Sequence, residues 1–394
     1  MENTQIPAVG QEPAAASAAR PTPTGPTKTR PWGASAAIGL ALALALTACA
    51  SNERPADPTG STSSDSLSGT INAGGSSAQT AAQEAWRAGF QSAHGDVTVN
   101  YDPIGSGQGR EGFAAGAYSL AGSDDAFKTA DIATTEFTLC APGTGIVEVP
   151  AYISPIVVAY NLPGLSDLKL DATAVAGLFT GQIQTWDDPA IAALNPGLEL
   201  PTSAVTPVHR SDKSGTTGNF TDYLSQAAPD AWTAGRTETW PQELGGEAAE
   251  KTQGVRQAVT LAAGAVGYLD ASQATGLGVA VLMVNGQPVP PSAAGATRTV
   301  AASQLEPGRG SADLVFAINR TPTEAGAYPL IMVSYLVGCQ QYADSAQGAL
   351  AQAYLAWAVS DAGQAAAAAN AGSAALAADP ALATRVGEAV DSVR

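Results

Sequence analysis

His209-Arg210-Ser211-Asp212-Lys213-Ser214-Gly215-Thr216-Thr217-Gly218-Asn219-Phe220-Thr221-Asp222-Tyr223 is the stretch on which the reading turns. A cation, Arg210, stands two residues before a carboxylate, Asp212. A small hydroxyl-rich turn follows, Ser214 to Thr217. From Asn219 the pattern reads as a helix, with Phe220 and Leu224 four apart on one face. The turn therefore sits where a helix starts. Helix N-termini carry unpaired N–H groups and the positive dipole end, which suits an anion. Gly215 lets backbone approach a ligand, and the hydroxyls and guanidinium add donors. An oxyanion site, phosphate first among candidates, is one reading. An ordinary Ser/Thr-capped helix start is the other, and this stretch alone does not separate them.

The same scheme recurs upstream. Residues 69–73 read as a strand, Gly74-Gly75-Ser76-Ser77 as a turn, and 78–93 as a helix with Ala82, Trp86, Phe90 and Ala93 on its apolar stripe. Residues 97–101 alternate like a strand. Gly105-Ser106-Gly107-Gln108-Gly109 is a turn before a helical stretch at 110–117. A short strand from Leu120 ends in Ser123-Asp124. Residues 204–208 are the strand before the opening stretch. Strands alternating with helices predict an α/β domain with a largely parallel sheet. In such folds ligands sit outside the carboxyl ends of the strands, where these turns cluster. No Gly-Lys-Ser/Thr ending of a nucleotide loop is present, which favours a small oxyanion over ATP.

Further along, Asp171 is expected to cap a helix running to Phe179, and 190–194 to form another, closed by Asn195-Pro196-Gly197. Residues 225–240 read as short helical pieces and loops. Residues 254–263 read as a helix with Val255, Ala258, Val259 and Leu261 on its apolar side, and 266–269 as a strand. Asn285-Gly286 predicts a hairpin within 279–289. Residues 288–312 read as polar, 329–337 as a buried strand, and 347–359 as a helix. The alanine-rich 365–378 segment fits helix or connector equally.

The N-terminus is read separately. Lys28 and Arg30 precede an apolar run at 34–46 that is too short to span a bilayer comfortably. It ends in Leu46-Thr47-Ala48-Cys49, which resembles the lipobox of bacterial lipoproteins. That resemblance implies cleavage after residue 48, a diacylglycerol on Cys49, and a chain anchored on the outer face of the cytoplasmic membrane. Residues 50–67 are rich in Ser, Pro, Asp and Thr and read as a tether. Removing residues 1–48 leaves 15 basic and 33 acidic residues, a net charge of −18. This argues against nucleic acid. It does not argue against a buried anion site, which works by local donors. Cys140 and Cys339 remain. In an exported chain a structural disulfide is expected, with a buried free thiol the alternative. With His94 and His209 the only histidines, neither a zinc site nor a His-dependent hydrolase is supported, and no cofactor is expected.

Taken together these segments resemble the substrate-binding proteins of bacterial phosphate ABC importers, the PstS type, from about residue 69 to the end. Asn72-Ala-Gly-Gly-Ser-Ser77 and Ile104-Gly-Ser-Gly107 resemble the family's Gly-rich turns, and Ala121-Gly-Ser-Asp124 its Ser-Asp segment. Arg210-Ser-Asp-Lys-Ser-Gly-Thr216 resembles its Arg-x-Asp-x-Ser-Gly-Thr motif. Leu178-Phe-Thr-Gly181 with Trp186-Asp-Asp188, Ala265-Val-Gly-Tyr268 and Ala327-Tyr-Pro329 fall in the family's order. The resemblance implies a two-lobe, type II-like periplasmic-binding-protein fold with hinged crossover strands. The first crossover would lie at 156–161 and the second near 322–328. Lobe one would comprise 69–155 plus 325–394, and lobe two 156–324.

It also implies a ligand set. Ser76 and Ser106 give hydroxyls, Ser106 also its N–H, and Ser77 its N–H only, because the family often has an aromatic there. Arg210 gives charge-assisted hydrogen bonds, while Ser214, Gly215 and Thr216 give N–H groups and hydroxyls. Asp212 supports Arg210. Asp124 accepts a proton-bearing hydrogen bond that hydrogen phosphate offers and sulfate does not. The expected partners are inorganic phosphate, an ABC permease and the membrane through the lipid, with the protein itself a monomer. A binder of another oxyanion, a phosphatase using Ser214, and a phosphate-sensing surface lipoprotein are the competing readings.

Overall fold

Strand β4 (Ile146–Tyr160) is fifteen residues long, buried throughout, and borders both halves of the sheet. The computed structural model describes residues 67–394 apart from 375, 377 and 378. The signal segment, Cys49 and all but the end of the tether lie outside the described residues.

Before β4 come β1 (Gly69–Gly75), α1 (Thr80–Ala93), β2 (Val97–Asp102), α2 (Ser106–Ala114), β3 (Leu120–Ser123) and α3 (Thr129–Ile132). After it come β5 (Lys169–Leu170), α4 (Ala172–Thr180), α5 (Pro189–Leu194), β6 (Thr206–Arg210), α6 (Gly215–Ala227), β7 (Glu247–Ala249), α7 (Lys251–Leu261) and β8 (Ala265–Asp270). Next are β9 (Gly278–Val279), β10 (Val281–Val284), β11 (Gln287–Val289), α8 (Ala293–Ala301), β12 (Gln304–Leu305) and β13 (Phe316–Ala317). The chain closes with β14 (Ile331–Cys339), α9 (Ser345–Val359), α10 (Asp361–Ala371) and α11 (Pro380–Asp391).

The main sheet has the order β2-β1-β3-β14-β4-β8-β6-β7, with β9 added beside β4. On one side β1 pairs in parallel with β2 and β3, and on the other β6 pairs in parallel with β7 and β8. The centre differs from the expected parallel sheet. β14 runs antiparallel to both β3 and β4, and β4 antiparallel to β8. β4 changes partner along its length. Residues Ile146 to Pro155 face β14, and Ile156 to Tyr160 face β8. Pro155 stands at the changeover, where a missing N–H costs least.

Local chemistry accounts for most element ends. Asp171 caps α4 by accepting from Ala174 N at 2.7 Å, and Asp188 caps α5 from Ala190 N at 2.8 Å. Asn285 and Gly286 have φ of 51° and 75°, the left-handed pair of a tight hairpin turn between β10 and β11. The 288–312 segment contains a helix that its prolines and polar residues conceal. Ser292 caps α8 by accepting from Gly295 N at 3.0 Å. The alanine-rich segment is helical to Ala371 and stops at Gly372, φ 64°. The Trp86 indole N–H ties α1 to this helix through Gly363 O at 3.0 Å. Ala82, Trp86 and Phe90 are buried as the stripe requires, but Ala93 is exposed at the end of α1. In α7, Val255 and Val259 are buried, while Leu261 is 76% exposed at the C-terminal end.

Cys140 and Cys339 form a disulfide, with Cα atoms 5.2 Å apart across 199 residues of chain. It fastens the end of β14 to the segment leading into β4. Among the described residues no helix is long and apolar enough to cross a membrane.

Candidate functional site

The turns after β1, β2, β3 and β6 meet at one place. Asp124, immediately after β3, lies at its centre and is 3% exposed. The Ser76 hydroxyl donates to Asp124 Oδ1 at 2.6 Å. The Thr216 and Ser106 hydroxyls reach Oδ2 at 3.1 and 3.3 Å, and Asp124 N donates back to Ser106 Oγ at 3.1 Å. Hydroxyls from separate turns thus converge on one carboxylate. Three of these residues, Ser76, Ser106 and Asp124, come from the β1–β3 side, and Thr216 comes from the β6–β8 side.

The helix starts lie earlier than the sequence pattern suggests. α6 begins at Gly215, and the Ser214 hydroxyl caps it by accepting from Thr217 N at 3.2 Å. Gly215 and Thr216 therefore occupy the first turn, whose N–H groups have no partner within the helix. α2 likewise begins at Ser106, with Gly105 as its N-cap at φ 102°. The Gly and hydroxyl residues that read as turn are the first turns of these helices. Of the two readings of the opening stretch the cap is observed: Ser214 is the N-cap of α6, and its capping bond goes to Thr217 N, not to the N–H groups of Gly215 and Thr216.

Arg210 ends β6 and is 3% exposed. Its Nε donates to Asp212 Oδ1 at 2.7 Å and its Nη2 pairs with Oδ2, a bidentate arrangement that does not use Nη1. Lys251 N also donates to Asp212 Oδ1 at 3.0 Å. Burial alone would raise the Asp212 carboxyl, but the Arg210 hydrogen bonds and charge and the Lys251 amide bring it below its ordinary value. Tyr268 OH accepts from the Arg210 backbone N–H at 3.3 Å and shares a 2.7 Å hydrogen bond with Thr217 Oγ1.

The two sides are in close contact. A Cβ on Gly215 would stand 2.8 Å from Asp124 Cβ, Asp125 N and Ser106 Oγ. A Cβ on Gly105 would stand 2.6 Å from Asp212 Oδ2. Ser77 uses its side chain across the same boundary, its Oγ lying 2.9 Å from Thr252 Oγ1, and its carbonyl accepts from Gln273 Nε2 at 2.9 Å. Beside the centre, Arg110 Nη2 donates to both oxygens of Glu238, at 2.6 and 2.7 Å, and Arg236 pairs with Asp125. Burial, with Glu238 adding to it, raises Asp125 to about 6 against the pull of Arg236 and Arg110. A cleft of about 470 Å³, lined by Asp124, Asp125, Asn219, Arg236 and Arg320 among others, adjoins the carboxylate.

Every residue predicted to contact or support the ligand falls in this one region, whereas Cys140 and Cys339 lie away from it. Several that matter were not singled out: Thr252, Thr217, Tyr268, Arg110, Glu238 and Ser334. Ser334 donates to Asp124 Oδ1 at 2.6 Å from the middle of β14. The one serine inside the apolar run 329–337 was its signal, since a buried polar group needs a partner. His209 is not part of the site. Its ring stacks on Trp240 at 4.8 Å, its Nδ1 meets Arg210 O at 3.0 Å, and desolvation lowers its pKa.

The PBP superfamily domain matches residues 60–362. The chain is 33% identical over 292 residues to "Phosphate-binding protein PstS 3" of Mycobacterium leprae, covering 73% of this chain and 78% of that one. The chain belongs to the PstS-type phosphate-binding proteins of the PBP superfamily. A second PstS relative, "Phosphate-binding protein PstS 2" of Mycobacterium tuberculosis, is 30% identical over 295 residues, covering 73% of this chain and 79% of that one. In three dimensions the PstS-type chain shares its fold with a high-affinity periplasmic phosphate-binding protein, PfluDING, solved with phosphate. The TM-score is 0.61 at 23% identity, over 77% of this chain and 90% of that one. The mixed α/β sheet, with β14 inserted antiparallel between β3 and β4, is the form this PBP-like fold takes here.

Proposed function

We propose that this protein binds inorganic phosphate outside the cytoplasmic membrane and delivers it to an ABC permease, without making or breaking a bond. The observation that carries the reading is Asp124: a buried carboxylate ringed by the hydroxyls of Ser76, Ser106 and Thr216 and facing the first turn of α6. Those hydroxyls donate to Asp124. An anion placed among them takes the donors over and must itself supply the proton that Asp124 accepts. Hydrogen phosphate does so and sulfate does not, so the same carboxylate that completes the site excludes the competitor.

In this reading Ser76, Ser106, Arg210, Ser214, Gly215 and Thr216 hold the phosphate oxygens, with the Ser77 N–H, and Asp212 fixes the guanidinium. Lobe one comprises 69–155 plus 325–394 and lobe two 156–324, hinged where β4 changes partner and where the chain returns near 322–328. Residues 1–48 are a signal, Cys49 carries the lipid, and the protein acts as a monomer tethered to the membrane. The names of the PstS relatives support binding rather than catalysis. The Ser214 hydroxyl accepts from Thr217 N and keeps its proton for an anion oxygen, and no base is among its hydrogen-bond partners in the described residues.

Titration calorimetry with phosphate tests the reading. It predicts saturable binding of one phosphate per chain, and absence of phosphate heat under conditions where the protein is folded overturns it. For the anchor, labelling with a radioactive fatty acid is expected in the parent and lost in Cys49→Ala; label retained in that variant contradicts it.

A further inference from the structure

Five buried side chains form a chain of hydrogen bonds that all point the same way and end on Asp124. Tyr354 OH donates to Gln83 Oε1 at 2.8 Å. Gln83 Nε2 donates to Gln79 Oε1 at 2.8 Å. Gln79 Nε2 donates to Ser334 Oγ at 2.5 Å, and Ser334 Oγ donates to Asp124 Oδ1 at 2.6 Å. All of them are between 0% and 3% exposed.

The direction is fixed by groups that have no choice. Gln79 Nε2 also faces the carbonyl of Tyr335 at 3.1 Å. A carbonyl only accepts, so the amide nitrogen must be on that side and Gln79 Oε1 must face Gln83. Ser334 then receives a donor from Gln79, and its single proton has one place to go, Asp124 Oδ1. The backbone serves the same end. The β14–β4 register shifts between Ser334 and Tyr335, with Ser334 opposite Tyr152 and Tyr335 opposite Pro150. Ala151 is left as the extra residue of a bulge, a device that re-aims a side chain. Elements far apart in sequence, α1, β14 and α9, are thus joined for one contact.

We propose that the Tyr354–Gln83–Gln79–Ser334 chain is the specificity-positioning device of the site: it holds Asp124 Oδ1 as an acceptor, so that the carboxylate meets the ligand as an acceptor too. The proposal rests on the phosphate reading above. When Ser76, Ser106 and Thr216 turn to the ligand, Ser334 alone stays on Oδ1. Without Ser334, Oδ1 loses the donor that fixes the orientation of the carboxylate, its acceptor lone pair is no longer aimed at the proton of hydrogen phosphate, and the preference over sulfate falls. Ser334 does not contact the ligand in this scheme and acts through Asp124.

The test is titration calorimetry of the full chain with phosphate and, separately, with sulfate, at one pH and ionic strength. The variants are Ser334→Ala, Ser334→Thr and Tyr354→Phe, each with its melting temperature. Ser334→Ala is expected to reduce the phosphate-over-sulfate preference about tenfold or more, the scale of one hydrogen bond to a charged group. Ser334→Thr restores the preference because it keeps the hydroxyl. Tyr354→Phe, remote from the site, reduces it in the same direction by less, and stands in if Ser334→Ala does not fold. If Ser334→Ala and Tyr354→Phe weaken both anions by one factor, or change neither, the proposal is overturned while phosphate binding stands. If the parent protein shows no phosphate binding, the functional reading itself fails.

Discussion

Arg110 on α2 grips Glu238 through both carboxylate oxygens, with Nη2 2.6 Å from Oε1 and 2.7 Å from Oε2, and the pair joins the β1–β3 side to the β6–β8 side. The two side chains are only 7% and 13% exposed. Removing one partner of a buried pair costs roughly 3–5 kcal/mol, because the other charge is left uncompensated. If the two sides separate on ligand release, that cost falls on the closed form alone. Glu238→Gln is therefore expected to weaken phosphate binding about tenfold or more, chiefly through faster dissociation. Stopped-flow release of phosphate to a fluorescent acceptor measures it, and an unchanged dissociation rate contradicts the latch.

Gly215 is the point of closest approach between the sides. A methyl group there meets Asp124 Cβ, Asp125 N and Ser106 Oγ, all at 2.8 Å, and the first two cannot swing away by a side-chain rotation. Gly215→Ala is predicted to block closure without harming the helix, since alanine is the better helix former. The expected outcome is a phosphate Kd raised by about two orders of magnitude or more, the cost of a few kcal/mol of overpacking. The unliganded melting temperature should be unchanged or slightly higher. Calorimetry and thermal melts on the same preparation check both halves.

Most of the binding scaffold was legible because the chemistry is local. Gly-Ser turns after strands, the Arg210–Asp212 spacing and the Asn285-Gly286 turn all announce themselves within a few residues. β4 did not. Its uniform burial leaves no period to read, and Pro150 and Pro155 argue against a strand until the bulge and the changeover show where their missing N–H groups fall. The starts of α2 and α6 were set too late for a related reason. Ser106, Gly107, Gly215 and Thr216 are poor helix residues, and only the caps at Gly105 and Ser214 show that they are inside. Pairings such as Arg110 with Glu238 join residues 128 apart, and no local pattern carries them.

The Cys140–Cys339 bridge closes 199 residues of chain, a loop long enough for a large entropic effect on the unfolded state. Cys140→Ser, or reduction, is expected to cost about 2–5 kcal/mol of stability. The bridge lies at the far end of β14 from the changeover, so phosphate affinity of the folded variant should stay within about twofold, as for independent sites. Denaturant titration with and without reductant, followed by calorimetry, separates the two effects.

Glu148 on β4 is fully buried, and burial, with Asp313 adding to it, raises its carboxyl from 4.5 to about 8 in spite of Arg309 at 3.1 Å. The folded state thus keeps a proton that the unfolded state loses at lower pH. Stability from this group is complete below about 4.5 and declines as pH rises through about 8. Asp270, raised by burial to about 6, acts in the same direction over the lower part of that range. The melting temperature is expected to fall from pH 6 to pH 8, a window set by the Glu148 value. Glu148→Gln should flatten this part of the curve, since the group contributes at most about 1.4 kcal/mol per pH unit. An identical slope in the variant contradicts the assignment.

The account stands most directly on Asp124. Calorimetric competition of phosphate against excess sulfate, in the parent protein and in Asp124→Asn, measures what that carboxylate does. The account predicts that sulfate leaves phosphate binding to the parent unchanged, whereas the asparagine variant, able to donate where aspartate accepts, binds sulfate measurably and loses its preference. Equal discrimination by the two proteins would contradict it.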